Sequence, residues 1–181
     1  MTENLAQKVV EKLKSKKLTL SCAESCTGGM LSGAITSVSG ASVVFPLGVV
    51  SYAGEMKRDV LKVPQTVLEK FGTISPDTAY YMAKGVQCLG KTDIGVSITG
   101  VAGPQESEGK PVGLVFVAVY MNDRAVVLKL TEASHLDREA IRNSAKDHAL
   151  KLILKVIDQE SIETDSNLYT LVTEKDYIER G

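Results

Sequence analysis

The segment "LTLSCAESCTGG", residues 18–29, places a short apolar strand, a sharp turn and the start of a helix in immediate succession. Residues 18–22 predict the strand, and Gly28 opens a helix of small residues that continues to about Val38. A strand that feeds directly into a helix is the repeating unit of α/β folds. The turn also gathers hydroxyls, thiols and the Glu24 carboxylate beside backbone amides, so it is either an unusually polar helix cap or a reaction site.

The rest of the chain extends this alternation of strands and helices. Apolar periodicity predicts helices over residues 3–16, 55–63, from Pro64, 75–90 and 137–157, and strands over 46–53, 93–99, 113–121 and 124–130. Ser75 is a suitable N-cap with Pro76 at the first helical position, and "NDR" between the last two strands predicts a hairpin. The pattern favours a three-layer α/β/α sandwich with a mixed, mostly parallel sheet.

Length and charge indicate one domain followed by a short tail. The 181 residues are 44% apolar and 24% charged, which is the composition of an ordinary globular domain. Residues 1–157 carry a net charge of +4 and residues 158–181 a net charge of −5. We therefore expect a domain over 1–157 and an acidic tail that is either disordered or adds "LYTLV" as a strand. So mild a positive charge, with only 5% aromatic residues, argues against a nucleic-acid partner.

Cysteine usage and the amino-terminal pattern suggest a cytoplasmic protein. The three cysteines, Cys22, Cys26 and Cys88, form no disulfide framework, and the first residues have a helical rather than a signal pattern. No apolar stretch approaches the roughly 18 residues of a membrane span, so no membrane partner is expected. Cys22 and Cys26 lack a second pair and the two histidines, His135 and His148, stand alone, so no metal is expected.

Two nucleotide-binding loops are also excluded by the sequence. Gly28 and Gly33 have the spacing of a phosphate-binding P-loop, but Ala34 stands where that loop needs lysine. The chain contains no G-x-G-x-x-G dinucleotide fingerprint either. We expect no cofactor.

The remaining chemical interpretation of the corner is a nucleophile turn. Ser25 at a strand-to-helix turn would be held outward beside pooled N–H groups, which stabilise an oxyanion or bind a phosphate. A serine needs a base, and Lys57 can serve if burial lowers its pKa. Tyr52, five residues earlier, would meet the same point if the chain turns at Gly54. Each residue also has an ordinary structural interpretation. The serine caps a helix, the lysine lies on the surface, and the tyrosine ends a strand. Glu24 accepts from helix amides, and the two cysteines are small buried apolar residues.

A second glycine-bearing segment, "SITGVAGP" at residues 97–104, ends another predicted strand. Ligands of open α/β sheets bind beyond the carboxyl ends of such strands. If this strand lies beside the first one, both loops line one crevice, and the glycines permit close approach of a ligand. The alternative is a tight loop without a ligand.

The motifs "AESCTGG", "GVVSYAGEMK", "GTIS", "SITGVAGP" and "KPVGLVFVAV", in this order and spacing, resemble the CinA C-terminal domain family, that of the nicotinamide-nucleotide amidases. The resemblance covers about residues 4–157. Within this family, the chain is similar to the form that has no amino-terminal domain. It implies metal-free hydrolysis of the carboxamide of nicotinamide mononucleotide, giving nicotinate mononucleotide and ammonia for NAD synthesis. It also implies a homo-oligomer, a dimer or trimer.

The resemblance implies roles for individual residues. The serine of "ESCTGG" is Ser25, the nucleophile, the lysine of "SYAGEMK" is Lys57, the general base, and Tyr52 assists that base. Amides from Cys26 to Gly28 would hold the oxyanion. The expected substrate-binding set is Glu24, Cys26, Thr27, Gly28, Gly29, Thr99, Gly100, Ala102, Gly103 and Arg142, with Arg142 assigned to the phosphate.

Three departures from the family pattern leave other functions open. Gly54 stands where the family usually has asparagine, and "TEASHLDRE" replaces a shorter "SGDR" segment. The "GPQESEGKPVG" loop is also slightly short. The alternatives are a nucleotide-binding module that has lost turnover and an amidase for another small carboxamide.

Overall fold

The computed structural model describes residues 4–131 and 136–159, together with the backbone of residues 169–173. Its strands are β1 (Leu20–Glu24), β2 (Leu47–Val50), β3 (Ile94–Gly100), β4 (Leu114–Met121), β5 (Arg124–Thr131) and β6 (Tyr169–Thr173). Its α-helices are α1 (Leu5–Lys16), α2 (Met30–Thr36), α3 (Gly54–Asp59), α4 (Gln65–Phe71), α5 (Pro76–Gly90) and α6 (Arg138–Asp158). The predicted elements are all present, with bounds that differ by a few residues.

The six described strands form one mixed sheet in the order β2-β1-β3-β4-β5-β6. The two pairings of β1, with β2 and with β3, are parallel, because the connecting chain passes through helices. The other three described pairings are antiparallel, so the mixed sheet is confirmed but the expected predominance of parallel pairing is wrong. The sheet changes direction because the chain passes from β3 to β4 through a loop without a helix, and then from β4 to β5 through a hairpin. The two turn residues of that hairpin, Asn122 and Asp123, both have positive φ.

The tail contributes β6, which pairs with β5 and corresponds to the extra-strand alternative. The remaining tail positions, 160–168 and 174–181, lie outside the described residues. The same is true of residues 132–135, which include His135 and most of the segment before α6. No helix in the described ranges combines the length and the apolarity needed to cross a membrane.

Helices cover both faces of the sheet, which gives the expected three layers. Apolar side chains of α1, α2 and α6 pack on the face that carries Cys22, Val96 and Val117. Helix α5 packs on the other face, against a second cluster that includes Ala118. Helix α5 lies so close to strand β3 that a Cβ at Gly95 would collide with the backbone of the helix.

Parallel pairing brings the carboxyl ends of β1, β2 and β3 to one edge of the sheet. Glu24 is level with Val50 on one side and with Ile98 on the other. The segments that follow these three strands therefore start side by side, and they contain most of the residues singled out in the sequence.

Candidate active site

The segments after β1 and β2 are each tied to a neighbouring strand, and together with the segment after β3 they line a cavity. Ser25 N–H donates to the Ile98 carbonyl at 2.9 Å, and Ser51 N–H donates to the Glu24 carbonyl at 2.9 Å. The expectation that both loops line one crevice is confirmed by a cavity of about 170 Å³. Its lining residues are Ser25, Cys26, Tyr52, Thr73, Ile74, Gly100, Val101, Ala102, Gly103, Gln105, Ser107 and Arg138.

Lys57 lies behind the wall of this cavity, against Ser25, which lines it. Its side chain is 1% exposed, and Nζ donates to Ser25 Oγ at 3.1 Å, to the Ser51 carbonyl at 2.8 Å and to the Tyr52 carbonyl at 3.3 Å. These acceptors are all neutral. Burial lowers the pKa of Lys57 to about 8, against the opposing attraction of Cys26 and Glu108. A buried amine beside a hydroxyl is the arrangement that a lysine base requires.

The turn expected at Gly54 brings the lysine to the serine. The chain is extended at Ala53, helix α3 begins at Gly54, and the Lys57 N–H donates to the Ala53 carbonyl. Gly54 also lies beside the cavity wall, because a Cβ there would be 3.1 Å from Thr73 Cγ2. Any larger side chain at this position would therefore press against Thr73.

Tyr52 contributes to the site in two separate ways. Its carbonyl accepts from Lys57, whereas its hydroxyl accepts from Arg138 Nη2 at 3.1 Å. The residue is 62% exposed and forms part of the cavity rim. The hydroxyl thus faces the arginine rather than bonding to the lysine, and its part in assisting the base stays a prediction.

Glu24 is held by the amino-terminal end of α2. Its carboxylate accepts from the N–H groups of Gly29, Leu31 and Ser32 and from Ser32 Oγ, at 2.7–3.1 Å. The carboxylate is fully buried, and neither Glu24 nor Gly29 lines the cavity. These contacts favour the capping alternative over the substrate contact expected for both residues.

Arg142 is also engaged within the corner. Its Nε donates to the Cys26 carbonyl at 3.0 Å and its Nη2 to the Thr27 carbonyl at 2.9 Å. Gly28, with φ of 60°, leaves room for the guanidinium, since a Cβ there would be 3.3 Å from Nη2. Arg142, Thr27 and Gly28 therefore lie behind the cavity wall, and the structure gives Arg142 backbone carbonyls rather than an open ligand site.

One of the three expected oxyanion donors is already occupied. Gly28 N–H donates to the Ser25 carbonyl at 3.0 Å and is occupied. Among the described residues, no other residue accepts from the N–H groups of Cys26 and Thr27. The Cys26 side chain itself is a poor nucleophile, because burial raises its pKa to about 11 and keeps it a thiol near neutral pH.

The opposite wall of the cavity contains predicted and unpredicted residues. Gly100, Ala102 and Gly103 line it as expected, whereas Thr99 is fully buried and donates to the Thr73 carbonyl at 2.8 Å. Thr99 thus positions Thr73 rather than meeting a ligand. The lining residues that sequence reasoning did not assign are Thr73, Ile74, Val101, Gln105, Ser107 and Arg138. Thr73 and Ile74 belong to the "GTIS" motif, and Arg138 belongs to the "LDRE" sequence at the start of α6. The other three lie in the segment after β3.

Hydrogen bonds from two side chains hold this opposite wall of the cavity in place. Arg138 Nη1 donates to the Gly103 carbonyl. Glu108 accepts from Thr73 N–H at 3.0 Å, from Thr73 Oγ1 and from Lys110 at 3.2 Å. Partial burial raises the pKa of Glu108, but the hydrogen bonds from Thr73 and Lys110 outweigh it and hold that pKa below its usual range.

The fold and the site together define a mixed α/β protein with a buried lysine–serine pair at the carboxyl end of its parallel strands. The family described as CinA C-terminal domain matches residues 2–157. The chain belongs to this family.

Comparisons with individual proteins agree with that assignment. A putative competence-damage inducible protein of Thermoanaerobacter pseudethanolicus is 44% identical over 156 residues, which are 86% of this chain and 37% of that protein. Among solved structures, a competence/damage inducible protein of Agrobacterium tumefaciens is 35% identical with a TM-score of 0.80, covering 85% of this chain and 93% of that one. A CinA superfamily protein of Klebsiella pneumoniae is 29% identical with a TM-score of 0.82, covering 86% and 96%. The chain thus spans little more than a third of its curated relative.

Proposed function

We propose that the protein hydrolyses the carboxamide of nicotinamide mononucleotide, giving nicotinate mononucleotide and ammonia. The observation that carries the proposal is the 3.1 Å contact between Lys57 Nζ and Ser25 Oγ at the wall of a cavity. Because burial lowers the pKa of Lys57 to about 8, a useful fraction of the amine is neutral near physiological pH. The neutral amine is the form that accepts a proton from serine.

The reaction proceeds through an acyl-enzyme. Ser25 Oγ attacks the carboxamide carbon while its proton passes to Lys57, and the oxyanion accepts hydrogen bonds from the N–H groups of Cys26 and Thr27. Collapse breaks the C–N bond, and Lys57 returns the proton to the leaving ammonia. Water, deprotonated by the same lysine, then hydrolyses the ester and releases the carboxylate.

The charge around the cavity supports a substrate with a negative group. Arg138 lines the cavity, and its described partners are the neutral Tyr52 hydroxyl and Gly103 carbonyl. Arg142 behind the wall likewise contacts neutral carbonyls. In the described ranges no carboxylate neutralises either guanidinium, so their positive charge is available to attract a phosphate monoester. Arg138 replaces Arg142 as our choice for the phosphate contact.

The proposal is tested by ammonia release from nicotinamide mononucleotide. We expect wild-type turnover and a loss of at least about 100-fold in both Ser25→Ala and Lys57→Ala, because each removes a reacting group. Lys16→Ala is the matched control, since this exposed lysine ends α1 at the opposite end of the sheet.

Other outcomes lead to the alternative functions. Binding of the nucleotide without ammonia release, measured by calorimetry, would replace the amidase with a nucleotide-binding module. Faster ammonia release from a different small carboxamide, in competition with the nucleotide, would keep the chemistry and change the substrate.

A further inference from the structure

The guanidinium of Arg142 donates hydrogen bonds to two consecutive carbonyls of the turn that carries Ser25. Nε contacts the Cys26 oxygen at 3.0 Å and Nη2 contacts the Thr27 oxygen at 2.9 Å. A guanidinium is planar with its N–H groups in a fixed fork, so it restrains the directions of both carbonyls together. Arg142 belongs to α6, which packs on the sheet through Ile141 and Ala145 and provides a firm support.

Fixing these carbonyls also fixes the N–H groups that follow them. In a planar trans peptide the C=O and the next N–H point in opposite directions. The Cys26 carbonyl is directed at Arg142, so the Thr27 N–H points away from α6. The Thr27 carbonyl is directed at Arg142 as well, so the Gly28 N–H points away too, and it meets the Ser25 carbonyl at 3.0 Å. Because the Ser25 carbonyl and the Cys26 N–H share one peptide plane, that bond also fixes the direction of the Cys26 N–H.

We propose that Arg142 is a positioning residue, which orients the peptide planes of Cys26 and Thr27 so that their N–H groups serve the oxyanion. This inference rests on the proposed amide hydrolysis. In this role Arg142 stabilises the transition state indirectly, through the backbone that it orients, and does not contact the phosphate of the substrate. Gly28 leaves the space that the guanidinium needs, because any larger residue at this position would press on it.

Arg138 provides an internal comparison. It lies four residues before Arg142, one helical turn away on the same side of α6. Arg138 lines the cavity, whereas Arg142 does not. We therefore expect the two arginines to divide their effects, with Arg138 acting on substrate binding and Arg142 acting on the chemical step.

The experiment compares Arg142→Lys, Arg142→Met and Arg138→Met in ammonia release from nicotinamide mononucleotide. Removing one oxyanion donor typically costs about 100- to 1,000-fold in kcat, and a misdirected donor costs less. We expect kcat to fall roughly 10- to 100-fold in Arg142→Met and less in Arg142→Lys, with KM within about 2-fold of wild type. Arg138→Met should instead raise KM. A rise in KM at unchanged kcat in the Arg142 variants would overturn the inference and restore the phosphate contact.

A second measurement does not depend on the substrate. A fluorophosphonate forms a tetrahedral adduct with an activated serine, in which the Oγ–P bond forms, fluoride leaves and the phosphoryl oxygen takes the oxyanion position. We expect Ser25 to be labelled at least about 10-fold more slowly in Arg142→Lys than in wild type, at a temperature at which thermal unfolding shows both proteins to be folded. If wild type labels but releases no ammonia, the proposed substrate fails and this ratio still tests Arg142. Equal labelling rates, or no labelling of wild type, would overturn the inference.

Discussion

The two walls of the cavity are held in different ways. The corner after β1 is anchored from the buried side, with Glu24 on the amides of α2, Arg142 on the carbonyls and Lys57 on Ser25. The opposite wall is the loop after β3, whose residues from Pro104 to Gly109 are exposed and which is fastened by Glu108.

This difference separates chemistry from recognition. Reacting groups need positions fixed to within about 0.5 Å, which only packed and hydrogen-bonded supports provide. An exposed loop tolerates changes in length and composition. We infer that substitutions in the corner affect stability and the rate of reaction, whereas those in the loop affect substrate affinity.

The largest effect on stability is expected from Glu24→Ala. The substitution leaves three backbone N–H groups and one hydroxyl at the start of α2 without their acceptor, at a site where Glu24 is fully buried. We expect a loss of about 3 kcal/mol or more in the free energy of unfolding, measured by urea denaturation. Asn4→Ala, which removes the exposed cap of α1, is the control and should cost ~1 kcal/mol or less. Similar losses in both variants would contradict the anchoring role of Glu24.

The pH dependence of activity tests the buried lysine. Because only neutral Lys57 accepts the serine proton, kcat/KM should rise with pH up to the lysine pKa of about 8 and level off above it. Below that pKa the rise should be tenfold per pH unit. The measurement is ammonia release between pH 6 and 9.5, with thermal unfolding recorded at each pH. A flat profile across this interval would show that Lys57 is not the titrating base.

The same lysine should reduce the stability of the fold near neutral pH. Its pKa falls from 10.5 in the unfolded chain to about 8 in the fold, so its unfavourable contribution is complete below pH 8 and disappears as the pH rises past 10.5. Full charging costs about 3 kcal/mol, and Lys57→Met removes that cost but leaves carbonyls of Ser51 and Tyr52 without a donor.

We therefore expect Lys57→Met to be inactive and more stable than wild type by roughly 1–2 kcal/mol at pH 7, measured by urea denaturation. The advantage should shrink when the measurement is repeated at pH 9.5. A variant less stable than wild type at pH 7 would mean that the three hydrogen bonds of Lys57 outweigh the cost of burying its charge.

Sequence patterns predicted the parts of the site that are local in the chain. The strand-to-helix corner placed Ser25, and the turn at Gly54 placed Lys57, because each depends on only a few neighbouring residues. The roles of Arg138 and Arg142 could not be separated in this way. They lie one turn apart on a single helix, and which one reaches the cavity depends on how α6 packs across the sheet. The antiparallel pairing of β3 with β4 likewise depended on how the chain re-enters the sheet after β3, which the pattern did not specify.

The smallest effect is expected from Glu108→Gln in the exposed wall. The carboxylate holds Thr73, which lines the cavity, and its charge raises the pKa of Lys57. The amide can still accept one hydrogen bond, so we expect KM to rise only a few-fold and kcat to change little. The rising part of the pH profile should move to lower pH, because Lys57 loses a stabilising negative charge.

Glu106→Gln, two residues away and also exposed, removes the same charge from the same loop without touching Thr73. It should leave KM at the wild-type value in the ammonia assay. If Glu108→Gln instead lowered kcat as strongly as the Arg142 variants, the loop would be part of the catalytic support, and the division between a fixed corner and an adjustable wall would fail. If both glutamine variants shifted the pH profile equally, the loop would act on Lys57 through its overall charge and not through the contact with Thr73.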